Sequence, residues 1–89
     1  MNLGVFVSEE RGDKILKRLK GEIAIFLVGN GVYRAVLENF KRIEAEYFCL
    51  IEDLETRGFK KNDVLPYIQP INYDELVDCV ERYEKLIWL

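Results

Sequence analysis

Apolar residues fall along this chain in short blocks separated by polar, glycine-containing intervals, and the blocks alternate between strand-like and helix-like spacing. Leu3 to Val7 is apolar and partly β-branched, which predicts a first strand, and Ser8-Glu9-Glu10-Arg11-Gly12-Asp13 predicts a loop. Asp13 is placed to cap a following helix in which Ile15, Leu16 and Leu19 share one face. Gly21 stands where a left-handed terminating residue is expected. Ile23 to Val28 has no polar alternation, as fits a strand covered on both sides in a parallel sheet, and this run is expected at the sheet's centre. A Gly29-Asn30-Gly31 turn leads into a second amphipathic helix, with Val32, Val36 and Phe40 on one face and Ala35 allowing close approach to the sheet.

After the charged connection Lys41-Arg42-Ile43-Glu44, the apolar run Tyr47 to Ile51 predicts a third buried strand. Glu52 and Asp53 suit the first turn of a short helix from Glu52 to Arg57, because carboxylates complement the helix dipole, and Gly58 suits its end. Lys60-Lys61-Asn62-Asp63 predicts a turn. Tyr67 to Ile71 predicts a fourth strand, and Pro70, which cannot donate a ladder bond, assigns it to a sheet edge. Asn72 with Glu75 forms a capping-box pattern, after which Leu76, Val80, Tyr83 and Ile87 continue a helical stripe. The order βαβαβαβα predicts a three-layer α/β/α sandwich around a mainly parallel four-stranded sheet, with right-handed crossovers and one domain over residues 1–89.

At 89 residues with 49% hydrophobic composition, the chain can build a core, but a thin one, and oligomerisation is a natural source of added stability. Five Tyr, five Phe and one Trp are more aromatic surface than so small an interior hides easily, which points to a partner. Thirteen basic against sixteen acidic residues give a net charge of −3, which argues against direct binding of nucleic acid. Lys14, Lys17, Arg18 and Lys20 read as the solvated face of the first helix. No charged and apolar leader precedes the first strand, no run approaches the about 20 apolar residues needed to span a bilayer, and two cysteines make no disulfide framework. A cytoplasmic location without membrane attachment is therefore expected.

The absence of histidine removes the usual general base, nucleophile activator and metal ligand. There is no Walker A or GxGxxG sequence, so Gly29-Asn30-Gly31 is a weak phosphate signal, and no cofactor or metal is expected. Glu9, Glu10 and Asp53 fall where a phospho-receiver domain keeps its acidic cluster, but the chain is short for that fold. Cys49 lies near the carboxyl end of the third strand, where helix amides favour a thiolate and Glu52 and Asp53 oppose it. A buried cysteine acting as a small hydrophobe is the plainer reading, and Cys79 reads as structural. Asn30, Gly31, Glu52, Asp53, Tyr83 and Trp88 mark the edge expected to meet a ligand or partner.

Two motifs taken together resemble a known family. Phe26 to Val32 with Ala35, followed by Phe48-Cys49-Leu50-Ile51-Glu52-Asp53-Leu54-Glu55-Thr56-Arg57-Gly58, resembles the DsrH/TusB family of the DsrE/DsrF/DsrH-like superfamily. The more specific part is an apolar strand running into Glu-Asp-Leu-x-x-Arg-Gly, matched at Glu52, Asp53, Leu54, Arg57 and Gly58. Ile71-Asn72-Tyr73 and Trp88 extend the likeness over nearly the whole chain. The resemblance implies a DsrH/TusB-like domain serving as a subunit of a cytoplasmic sulfur-relay system. Such a system passes persulfide sulfur towards 2-thiolation of the tRNA wobble uridine or within dissimilatory sulfur metabolism. The implied partners are DsrE-like (TusD-like) and DsrF-like (TusC-like) subunits, or further copies of the chain. In the sulfur-carrying subunits the relay cysteine lies near the carboxyl end of the third strand. Counted back from Arg57-Gly58, that position falls on Leu50 here, with Cys49 one residue earlier and so on the opposite face of an undistorted strand. Cys49 as persulfide carrier and the chain as a scaffold without a thiol role are both left open, as is an interaction module that carries no sulfur.

Overall fold

Each apolar run becomes a strand in the computed structural model, which describes residues 2–8, 21–37 and 45–89. The strands are β1 (Asn2–Val7), β2 (Glu22–Leu27), β3 (Ala45–Leu50), β4 (Ile68–Ile71) and β5 (Lys85–Trp88). They form one sheet in the order β4-β3-β2-β1-β5, every neighbouring pair parallel. Between them lie α1 (Val32–Leu37), α2 (Ile51–Thr56) and α3 (Tyr73–Val80), with 3-10 turns at Gly29–Gly31 and Lys61–Asp63. The expected helix carrying Lys14, Lys17, Arg18 and Lys20, the acidic pair Glu9 and Glu10, and the connection at Lys41 to Glu44 lie outside the described residues.

The strand order dictates which face each helix covers. From β1 to β4 each strand adds beside the last in one direction, so right-handed crossovers place α1 and α2 on the same face. The step from β4 to β5 runs back across the sheet to the far edge, which puts α3 on the opposite face. Burial follows this division. Val5, Val7, Ile25, Leu27, Tyr47 and Cys49 pack with Val32 and Ala35 of α1 and Leu54 of α2. Phe6, Ala24, Phe26, Val28, Phe48 and Ile71 pack with Leu76 of α3.

The α/β class, the parallel sheet, the central place of β2 and the edge place of the proline-containing β4 all agree with the sequence reading. So does the cap of α3, in which the Glu75 amide donates to Asn72 Oδ1 at 2.8 Å and the Asn72 amide donates to Glu75 Oε1 at 3.0 Å. The C-terminus differs. Its apolar stripe was expected to stay helical to Ile87, but α3 stops at Val80 and Lys85–Trp88 forms a fifth strand, so the sheet has five strands rather than four. Bonds of i to i−3 type from Arg82 to Cys79 and from Tyr83 to Val80 tighten the helix end. The chain then alternates faces, with Leu86 and Trp88 on one side and half-buried Ile87 packed on the other. The cause lies in β1, whose side chains are buried on both faces and which is too apolar for an edge. β5 covers it, and the Leu89 amide extends the ladder to the Phe6 carbonyl at 2.8 Å.

The Gly29–Gly31 turn sits hard against β1. A Cβ on Gly31 would collide with the Val7 carbonyl oxygen, while the Val28 amide donates to that same oxygen at 3.1 Å. Gly58 also has a special backbone, at φ +83°, but open space around it. Gly31→Ala is therefore expected to cost about 1–3 kcal/mol through forced displacement of buried backbone, and Gly58→Ala only about 1 kcal/mol of conformational strain. Urea unfolding midpoints of the two variants should rank in that order.

Candidate functional site

The carboxyl ends of β2 and β3 lie side by side, and the residues that leave them are tied together by the Glu-Asp-Leu-x-x-Arg-Gly motif. Asp53 Oδ2 accepts the Gly29 amide at 2.6 Å. Arg57 donates through Nε and Nη2 to Asn30 Oδ1 at 3.2 and 2.9 Å, and through Nη1 to the Asp53 carbonyl at 3.0 Å. Its guanidinium carbon stands 6.0 Å from the centroid of the Tyr33 ring. Glu52 Oε2 accepts the amide of Tyr73, the first residue of α3, at 3.1 Å and so links the two helical layers. Leu54 is fully buried under the sheet, and its carbonyl accepts the Phe59 amide as the chain passes through left-handed Gly58. Every matched residue of the motif thus has a place in holding this edge.

Four of the expected edge residues, Asn30, Gly31, Glu52 and Asp53, are brought together here. The Gly29 amide is taken by Asp53 and the Gly31 amide donates to the Val28 carbonyl at 2.8 Å, so the turn has already committed these two donors within the protein. Arg57 was legible as a motif residue but not as the partner of Asn30. That pairing joins positions 27 apart in sequence, and only the parallel pairing of β2 with β3 brings them together.

Cys49 lies opposite Leu27 and Pro70 in the sheet register and is 1% exposed, in the cluster covered by α1 and α2. Burial pushes its thiol up from 9.0 to about 12. The strand stays extended through Leu50, at φ −82° and ψ 119°, so alternation persists to its end. Leu50 accordingly faces the other side, half-buried against the α3 cluster. Cys79 is half-buried on α3, and both cysteines are free thiols.

The face beneath α3 carries a ladder of stacked aromatic rings across four strands. Trp88, Phe6, Phe26 and Phe48 are in register, with ring centroids 4.5, 5.2 and 5.2 Å apart and planes within 25° of parallel. Tyr83 meets Phe26 edge-on, and its hydroxyl donates to Glu46 Oε2 at 3.3 Å. Burial and then the Glu46 carboxylate raise the Tyr83 phenol above its ordinary value. Tyr83 thus lies inside the layer at the far side of α3, whereas Trp88 is 66% exposed at the β5 edge. A groove of about 540 Å³ runs between Trp88 and α3, floored by Phe6, Val28, Leu50 and Leu76 and reaching Asp53. On the other flank of α3 a more polar depression of about 600 Å³ is lined by Glu46, Gln69, Glu75, Asp78, Cys79 and Arg82. Among the described residues no cluster of three or more Cys, Asp or Glu could hold a metal ion, and no helix is long and apolar enough to cross a membrane.

The family described as DsrH like protein matches residues 7–86. The chain belongs to the DsrH family. Its fold is similar to the solution NMR structure of protein Tm0979 from Thermotoga maritima, with 26% sequence identity and a TM-score of 0.72, over 92% of this chain and 93% of that one. No curated protein matches it. In this DsrH family member Glu52 and Asp53 serve as acceptors for backbone amides, and Cys49 is sealed beneath α1 and α2.

Two outcomes are expected. Asp53→Ala removes a charge-assisted bond and should lower unfolding free energy by about 1.5–3 kcal/mol, measured by urea denaturation. At neutral pH iodoacetamide should modify Cys79 in the native protein and reach Cys49 only after denaturation, as peptide mass spectrometry would record. The buried thiol also sets a pH dependence. The unfolded chain ionises near 9.0 and the folded thiol near 12, so this contribution to stability is complete below pH 9 and is lost as pH rises towards 12.

Proposed function

We propose that this chain is an interaction subunit of a cytoplasmic persulfide-relay system. It pairs with DsrE-like and DsrF-like subunits or with its own copies, in support of tRNA wobble uridine 2-thiolation or related sulfur metabolism. Membership of the DsrH family over residues 7–86 supports the relay role. The single observation that favours interaction over sulfur carriage is the burial of Cys49 beneath α1 and α2.

In a relay step a thiolate attacks the outer sulfur of a donor persulfide, forms a new sulfur–sulfur bond and releases the donor as its thiolate. The attacking group must be ionised and reachable. A thiol that burial holds this far above its ordinary value stays protonated at pH 7. Carriage on Cys49 would therefore require the covering helical layer to open. The scaffold role requires no such opening, and it leaves the thiol chemistry to a companion subunit.

Affinity purification of the tagged chain from its native host, followed by treatment with a persulfide donor and mass spectrometry, tests this reading. DsrE-like and DsrF-like companions are expected, with the label on a companion. A label on Cys49 that Cys49→Ser removes would make this chain a carrier instead, and recovery of the chain without companions or self-association would remove the relay-subunit reading.

A further inference from the structure

The groove between Trp88 and α3 ends at the Gly29–Asp53 clamp, and the charged side chains described along its α3 side are mostly acidic. Its floor is apolar, and its lips hold the most exposed large apolar side chains of the described residues, Trp88 at 66% and Tyr73 at 60%, with Val77 at 39%. Such surface clustered in one concavity is characteristic of a contact site rather than of scattered surface residues. Asp53 closes one end. Along α3, Asp74 and Glu81 are exposed and stand three residues before and four after Val77, which places both on its flank of the helix. Glu84 is also exposed just before β5. Among the described residues the nearest basic side chains are engaged or directed elsewhere, and Arg57 is held by Asn30 and the Asp53 carbonyl. Lys85 pairs with Leu3 and alternates to the opposite face of the sheet, and Arg82 lines the depression on the other flank of α3.

We infer that this groove is a docking site for a protein segment that is both apolar and basic. Such a segment would place one or two large aliphatic or aromatic side chains on the Phe6–Trp88 floor and Lys or Arg on the acidic lips. The volume of about 540 Å³ suits a pair of side chains rather than a whole helix. Stacking on the open face of Trp88 supplies the kind of aromatic anchor that dominates interface energies. The acidic rim supplies orientation and rejects acidic partners. This inference deepens the interaction reading and rests on it, but its test uses the isolated chain and a model ligand, so it fails or succeeds separately from the recovery of relay companions.

Trp88 is the chain's sole tryptophan and reports directly on the groove. A short amphipathic peptide with Leu on one face and Lys on the other should shift Trp88 emission to shorter wavelength in a saturable way, more weakly as salt is added. A peptide with Glu in place of Lys should not. The double variant Asp74→Asn with Glu81→Gln, at exposed positions remote from the core, should weaken binding about fivefold. Val77→Asp should abolish it, with far-UV circular dichroism confirming the fold. Equal responses to both peptides, no response to either, or unchanged affinity in the double variant would overturn the assignment.

Discussion

The Gly29 amide and the Asp53 carboxylate meet at 2.6 Å, and the geometry of the carboxyl edge of the sheet depends on that bond. β2 ends in a turn that lies so close to the Val7 carbonyl that only glycine fits at position 31. The turn is pressed on one side by β1 and held on the other by a side chain that leaves β3. Neighbouring carboxylates then divide the work, Asp53 securing the β2 turn and Glu52 the first amide of α3 in the opposite layer. α2 has only six residues, too few to be stable by propensity alone, and these bonds with buried Leu54 fix it in place. The Glu-Asp-Leu-x-x-Arg-Gly segment is in this chain a structural clamp.

Much of this was legible in the sequence because the signals were local. The unbroken apolar runs identified buried parallel strands, Pro70 identified an edge, and Asn72 with Glu75 identified a helix start. Strand order was not legible, since it follows from crossovers between elements that each look alike. Two features hidden in that order decided the rest. The Arg57–Asn30 pairing needed β2 and β3 to be neighbours. The fifth strand needed β1 to lie beside an unfilled edge, a demand that Leu86-Ile87-Trp88 could not reveal by themselves because Leu76, Val80, Tyr83 and Ile87 also satisfy a helical period. Local pattern permitted both outcomes, and the tertiary requirement for a covered β1 selected the strand. Of the residues read as an edge, Asn30, Gly31, Glu52 and Asp53 lie together at the carboxyl ends of β2 and β3, whereas Tyr83 and Trp88 part company on either side of α3.

Unequal cover on the two faces gives the molecule its exposed surface. One face lies under α1 and α2, and the other under α3, whose eight residues reach Leu76 over the centre of the aromatic ladder but not its end. The ladder depends on register. Phe6, Phe26, Phe48 and Trp88 stack only because parallel pairing places identical faces at the same level, and each such pair adds about 0.5–1.5 kcal/mol beyond burial. β5 therefore anchors itself through one face of Trp88 while leaving the other face free at the sheet margin. The same arrangement that stabilises the last strand creates the groove.

Alternation along β3 then separates chemistry from contact. Cys49 and Leu50 are adjacent, yet the pleat sends the first into the core beneath α1 and α2 and the second into the groove. Leu50 is thus an apolar part of a concave surface. A side chain at position 50 opens onto the groove, whereas the thiol one residue earlier meets Leu27 and the helices instead. Moving Cys49 to the groove would require a bulge at the strand end, but the strand end is extended and α2 begins immediately after it, held by Asp53 and Glu52. The clamp that shapes the carboxyl edge of the sheet is therefore also what keeps Cys49 beneath α1 and α2 and out of the groove.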